Sequence, residues 1–305
     1  MDASQLDQIS RAARRLIPYL FGTSLGWLLV RASRPILSMA FKNTKLTCSG
    51  KSDGGGSQVL AILGVAAFAR YFGASFIHTP LSFVEHCPKH EKMEDFCSKW
   101  ETIIAPFGFS ETNGERFYEY GSIEDFLVDF LLFRTRGKQI CLANVHYITD
   151  THPEVYKSIG LGASSQVMDN CGTKTIYVHV RRGDVTPEGP NSFRYTSDED
   201  VRLYIESVRQ LFTGRTEVFI VTENPSLEFK EKFQDCTIIS EEDPTKVLRL
   251  LARSDILVMS RSALSFVAAL TSTGEVFYEP YWNRPLPSWS ILPTKESLRS
   301  RSSQD

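Results

Sequence analysis

At 305 residues the chain is long enough for two domains of ordinary size or one large one. Its 42% hydrophobic and 23% charged residues match an ordinary globular composition. With 34 Lys and Arg against 36 Asp and Glu, net −2, it lacks the basic footprint of a nucleic-acid binder, so partner choice falls to a local site.

Residues 1–41 read as an extension outside the fold. Arg11, Arg14 and Arg15 precede an uncharged run from Leu16 to Val30, which Arg31 and Arg34 close. The run is shorter than the roughly 18–20 residues a membrane-spanning helix needs, and Pro18, Gly22 and Gly26 weaken it as a helix. Three readings compete: a short signal-anchor, an amphipathic segment lying on a membrane surface, and a helix packed on the domain. The first two imply membrane association through residues 16–30, in a Golgi or ER type II manner, and the third leaves a cytoplasmic chain open.

From Lys45 an α/β pattern begins. Lys45–Ser49 predicts a strand, Ser52–Gln58 (SDGGGSQ) a glycine-rich loop, and the following apolar run a helix that Gly73 stops after Phe72. Ala74–His78 is the next strand, so the segment is a βαβ unit. A polar region containing Cys and His follows to about Ser98, then a helix near Ile123–Phe133 and a strand near Gln139–Ala143. Residues 144–174 show little periodicity and predict a linker. These boundaries give an N-terminal Rossmann-like domain over 42–160, a C-terminal one over 161–292, and a polar tail over 293–305.

The second half alternates cleanly. Strands are expected at Thr175–Val180, Glu217–Thr222, Cys236–Ser240, Asp255–Met259 and Glu275–Tyr278. Helices separate them at Ser197–Phe212, Ser226–Phe233, Pro244–Arg253 and Ser262–Leu270. Such alternation predicts a doubly wound parallel sheet. The six cysteines are scattered without a C-x-x-C pair and the histidines lack H-x-x-x-H spacing, so neither a zinc site nor a disulfide framework is expected. Cys87 and Cys97 could pair in an oxidising compartment, but unpaired core thiols are the favoured reading.

Four stretches carry candidate chemistry. The strand Thr175–Val180 ends in Arg181, Arg182, Gly183 and Asp184, with His179 one step inside. Ligands of open α/β sheets bind beyond the carboxyl ends of strands, and paired guanidiniums there suit a phosphate. A structural ion network with Asp184 is the alternative. In the glycine-rich loop, Gly55 and Gly56 let backbone amides approach a ligand at a helix N-terminus, although a tight turn alone also explains them. A dinucleotide fingerprint fails because Val59 stands at its third glycine, and a Walker A loop fails because the glycines follow Lys51. Asp243 precedes Pro244 as an N-cap or as an acceptor for a guanine base. Ser260–Ser265 opens a helix after a strand, as a phosphate site or a plain cap. The D-x-D run Asp198–Asp200 fits helix capping better than a metal.

Together, His179-Val-Arg181-Arg182-Gly-Asp184, the loop Gly54–Gln58, Thr222-Glu223-Asn224-Pro225 and the Ser-rich helix entry resemble the superfamily of α1,2-, α1,6- and protein O-fucosyltransferases, over roughly residues 45–290. Ser57 stands where those enzymes carry asparagine. The resemblance implies a GT-B fold of two facing Rossmann-type domains with a cleft between them. It implies inverting transfer from GDP-fucose to a glycan or glycoprotein hydroxyl, with no metal and no other cofactor. It further implies that Arg181 stabilises the β-phosphate and Arg182 orients Asp184. Gly55, Gly56, Ser57 and Gln58 would contact the donor, His179 and Asp243 would flank the guanine, and Ser262 and Ser265 would take phosphate oxygens. Glu188 and Asp53 are rival candidates for the base. A transferase for another nucleotide sugar and a non-catalytic nucleotide- or glycan-binding relative are the alternatives.

Overall fold

The structure, a computed structural model, describes residues 3–48, 52–112, 116–132, 134–135, 138–162 and 172–293. The expected tail over 293–305 therefore lies outside the described residues but for its first, as do Ser49 and Cys171. The chain divides into two compact units, Met1–Leu161 and Gly162–Asp305.

Unit 1 begins with three helices, α1 (Ala3–Gly22), α2 (Ser24–Ala32) and α3 (Arg34–Phe41). Its remaining elements are β1 (Lys45–Thr47), α4 (Gly55–Phe72), β2 (Ser75–His78), α5 (Met93–Ile104), β3 (Ser110–Glu111), β4 (Tyr118–Tyr120), α6 (Ile123–Leu131), β5 (Gln139–Leu142) and α7 (His146–Thr151). The strands form a parallel sheet in the order β3-β2-β1-β5-β4. Helix α4 is its core: Val59, Leu63, Val65, Ala67 and Phe68 are all fully buried. It ends where Gly73, at φ +78°, turns its N–H back to the carbonyls of Ala69 and Arg70. Among the described residues α4 is the one helix long and apolar enough to cross a membrane, and it is spent inside the unit.

Two expectations are corrected here. Residues 17–41 are not apart from the fold but follow the third reading, helices packed on the domain: Ile17, Phe21, Trp27, Val30 and Phe41 are buried, and Trp27 stacks on His152 with ring centroids 3.8 Å apart. Pro18 is accommodated inside α1, and the break falls at Thr23, whose hydroxyl caps α2 by accepting from Gly26 N. Nor is 144–174 a linker as a whole. Val145, Ile148, Val155 and Tyr156 are buried, and a 3-10 helix over Pro153–Ile159 packs on α4, where the Ser158 hydroxyl donates to the Ala67 carbonyl at 2.8 Å. Within that stretch, residues 163–171 lie outside the described residues.

Unit 2 contains β6 (Lys174–Val180), α8 (Asp198–Arg209), β7 (Thr216–Thr222), α9 (Leu227–Lys232), β8 (Thr237–Ser240), α10 (Pro244–Ala252), β9 (Ile256–Val258), α11 (Ala263–Thr271), β10 (Glu275–Tyr278) and β11 (Ser290–Ile291). The sheet order is β11-β10-β9-β6-β7-β8, all parallel. Beginning at β6, the chain winds outward through β7 and β8, then returns to lay β9 on the opposite side of β6. This is the doubly wound strand order, and its topological switch lies between β6 and β9. Ile176, Val178 and Val180 of β6 are buried with Val201, Ile205, Val218, Ile220, Ile256 and Val258, as the apolar β-branched run requires of a central strand.

Candidate functional site

The switch point brings two predicted stretches together. Arg181–Asp184 leaves the carboxyl end of β6, and Ser260–Ser262 leaves that of β9 and caps α11. Arg181 donates from Nε and Nη2 to the two carboxylate oxygens of Asp184 at 3.1 and 2.7 Å, and from Nη1 to the Ser262 hydroxyl at 3.1 Å. Three of the five N–H donors of the guanidinium are thus engaged. Gly183 adopts φ +77°, and a Cβ there would come within 2.6 Å of the Glu223 carboxylate, so the turn that aims Arg181 requires glycine.

Arg182 departs from the expected role. It does not orient Asp184, which Arg181 holds, but donates to Asp198 at 2.9 Å and lies over the Tyr195 ring at 4.4 Å. Asp198 also takes Lys232 at 3.1 Å, while Ser197 caps α8 by accepting from Asp200 N. The reading of Asp198–Asp200 as a capping run is therefore incomplete: Asp198 anchors the second arginine.

His179 sits between two hydroxyls, with Nδ1 at 2.8 Å from Ser260 Oγ and 2.5 Å from Ser265 Oγ. Burial, helped by the Arg181 cation, holds its pKa down at about 3, so the ring is neutral near pH 7. Its pKa when unfolded is near 6.5. The folded value is the lower one, so this group's contribution to stability is complete above pH 6.5 and is lost as pH falls toward 3. The expected result by NMR is that the His179 ring shows no titration between pH 5 and 8; a midpoint in that range would contradict the half-buried, hydroxyl-bound geometry. Ser265, expected to take a phosphate oxygen, is fully buried and instead positions His179. Ser262 is buried as well, and its hydroxyl meets Arg181.

Asp243 caps α10, its Oδ1 accepting from Thr245 N, Thr245 Oγ1 and Lys246 N. The same atom cannot serve a guanine base without releasing these donors. Glu188 is exposed on the loop after Asp184. In unit 1 the glycine-rich loop is held by its own contacts. Asp53 Oδ2 accepts from the Ser57 hydroxyl at 2.5 Å, and the buried Gln58 amide donates to the carbonyls of Asp53 and Phe83. A Cβ on Gly55 would strike the Trp100 ring at 2.1 Å, so this glycine is demanded by packing. Gly56 is buried in the first turn of α4.

Several contributors carry no local sequence signal. Glu279, 1% exposed, accepts from Thr196 and Tyr204 and lies 3.1 Å from Arg261 Nε. Its burial pushes its pKa up against the pull of Arg261. This carboxylate fixes Arg261 beside Ser262, and Arg261 in turn donates to the Phe193 carbonyl. Tyr281, pushed up to about 12 chiefly by burial, also feels the opposing fields of Arg194, Arg181 and Arg261. Past the end of β10, Arg194 lies over the Trp282 ring at 4.8 Å, while Arg261 and Arg181 are each held by a carboxylate, Glu279 and Asp184. The local signal for them was slight, since the charges come from three separate loops. A separate concavity of about 250 Å³ in unit 1 is lined by His78, Glu101 and Glu111, with His78 Nε2 at 2.7 Å from Glu101. It contains none of the predicted site residues.

No family model matches the chain, and no curated protein matches it. Among solved structures it is similar to NodZ, an α-1,6-fucosyltransferase from Bradyrhizobium co-crystallized with GDP, at 14% identity over 74% of this chain and 92% of that one, with a TM-score of 0.41. It is similar to a family 9 glycosyl transferase from Veillonella parvula at 9% identity over 87% and 89%, with a TM-score of 0.43. It is also similar to POFUT1 in complex with GDP at 14% identity over 83% and 99%, with a TM-score of 0.39.

Proposed function

We propose that the chain is a glycosyltransferase that holds the diphosphate of a nucleotide sugar at the β6–β9 switch, and that its donor is GDP-fucose. The observation that carries this reading is Arg181, set at the carboxyl end of a central strand and hydrogen-bonded to the hydroxyl of Ser262, the residue that precedes α11. Cleavage of the glycosyl–phosphate bond leaves negative charge on the departing diphosphate. A guanidinium and the N-terminus of α11, both fixed beforehand, stabilise that charge without having to reorganise. Arg181 thereby supplies what a metal would otherwise supply. The HxRRGD resemblance favours guanosine and fucose, and a neutral His179 fits contact with an uncharged base.

Inversion at the sugar carbon calls for a carboxylate to receive the proton of the acceptor hydroxyl, which belongs to a glycan or glycoprotein in this reading. Glu188 is the better candidate, since it is exposed on the same loop system as Arg181, whereas Asp53 is tied to Ser57 and carries Gln58 on its carbonyl. Glu188→Gln is expected to lower the rate of fucosyl transfer by about 100-fold or more while donor affinity stays within a few-fold. Steady-state transfer from GDP-fucose checks this. Full activity in Glu188→Gln together with loss in Asp53→Asn would move the base to Asp53.

A further inference from the structure

Helices α1–α3 join an uneven charge distribution to an uncovered apolar face. Between Asp7 and Asp53 the sequence holds no acidic residue but eight basic ones, Arg11, Arg14, Arg15, Arg31, Arg34, Lys42, Lys45 and Lys51, in a chain of net charge −2. The buried side of α2 is Gly26, Trp27 and Val30. Trp27 is fixed by stacking on Tyr71 and His152 and by donating to Glu154 at 2.8 Å. With that side pinned, Leu25, Leu28 and Leu29 form the opposite stripe at i, i+3 and i+4, each at least half exposed. In α3, Ile36 and Met39 are 73% and 80% exposed one turn apart. Leu16 and Tyr19 of α1 are also exposed, and α2 crosses α1 so closely at Gly26 that a Cβ would lie 2.3 Å from the Tyr19 carbonyl.

We propose that the outward face of α2 and α3, with the adjoining end of α1, docks in the plane of an anionic lipid surface. Leucine, isoleucine and methionine would enter the interface, and the exposed Arg15, Arg31 and Lys42 would meet lipid phosphates. The charge excess selects this occupant over a neutral apolar partner. None of the three helices approaches the length of a span once α1 is discounted for its three arginines, so the contact is in-plane.

The test is co-sedimentation of the full chain with phosphatidylcholine vesicles, with and without phosphatidylglycerol. Binding is expected only to the anionic vesicles and should weaken as salt rises. Leu28→Asp and Ile36→Asp should each weaken it roughly tenfold or more, and Arg15→Gln and Arg31→Gln roughly fivefold each. All four positions are exposed, so melting temperatures should stay near that of the parent chain. Absence of binding to anionic vesicles, or binding indifferent to the aspartate variants, would overturn the proposal. So would sedimentation velocity showing that the same face instead pairs two copies of the chain, or retention in vesicles after alkaline extraction, which would mean a span.

Discussion

Arg181→Ala is expected to weaken GDP binding by about 100-fold or more. A guanidinium–phosphate contact is charge-assisted and two-pronged, and each such hydrogen bond contributes roughly 1.5–3 kcal/mol. The substitution also leaves Asp184 without the cation that now engages both its oxygens, so a carboxylate faces the incoming phosphate. Stability should barely change. The Arg181 and Asp184 side chains are 22% and 35% exposed, and pairs screened to that degree contribute about 1 kcal/mol or less. Arg181→Lys should fall between parent and alanine, because it keeps charge but not the planar fork. Isothermal calorimetry with GDP, alongside thermal melts of the three proteins, separates affinity from folding. Equal affinity in parent and Arg181→Ala would make the RRGD turn a structural ion pair.

Gly55→Ala is expected to have the largest effect on folding, about 3 kcal/mol of destabilisation and a fall of roughly 6–12 °C in the melting transition of unit 1. The added methyl would lie 2.1 Å from Trp100 Cε2 and 2.4 Å from two neighbouring ring atoms. Trp100 is 2% exposed, so neither ring nor helix start can yield cheaply. The neighbouring Gly54 gives the contrast: its Cβ would meet nothing nearer than His86 Cδ2 at 3.9 Å, and Gly54→Ala should cost less than about 1 kcal/mol. Denaturant or thermal melts of the pair check this. Similar values for both would mean that the glycine-rich loop is not pressed against Trp100 and that its glycines serve a ligand instead.

The pattern of legibility follows from how far apart the interacting residues lie. The second sheet is readable because β6 and β7 are largely apolar, β-branched runs bounded by turn residues, which is what burial on both faces demands. In unit 1, β3 and β4 are two and three residues long and mostly exposed, so neither alternation nor hydrophobicity marks them. The region 144–162 lacks periodicity because a short helix and a 3-10 turn pack it onto α4 through a few side chains. Arg181 and the Ser260–Ser262 turn were readable as strand ends. Their partners were not: Arg182 finds Asp198 16 residues on, His179 finds Ser260 and Ser265 more than 80 residues on, and Glu279 finds Thr196 and Tyr204 at similar distances. Such pairings depend on strand order, which local pattern does not encode. The packing of the segment up to Phe41 is hidden for the same reason, since Phe41 and Trp27 gain their cover from α4, α6 and His152.

In the proposed reading, unit 2 binds a guanosine diphosphate through Arg181. Its most direct test is thermal stabilisation of the full chain by GDP, UDP, ADP and GMP without added divalent metal, with Arg181→Ala in parallel. The full chain is required because residues 17–41 form part of the unit 1 core. A ligand that binds only the folded state raises the transition in step with its affinity. The expected result is a shift with GDP that exceeds those with UDP, ADP and GMP and disappears in Arg181→Ala. Equal or greater stabilisation by UDP or ADP would reassign the donor, and no shift with any nucleotide would contradict the claim.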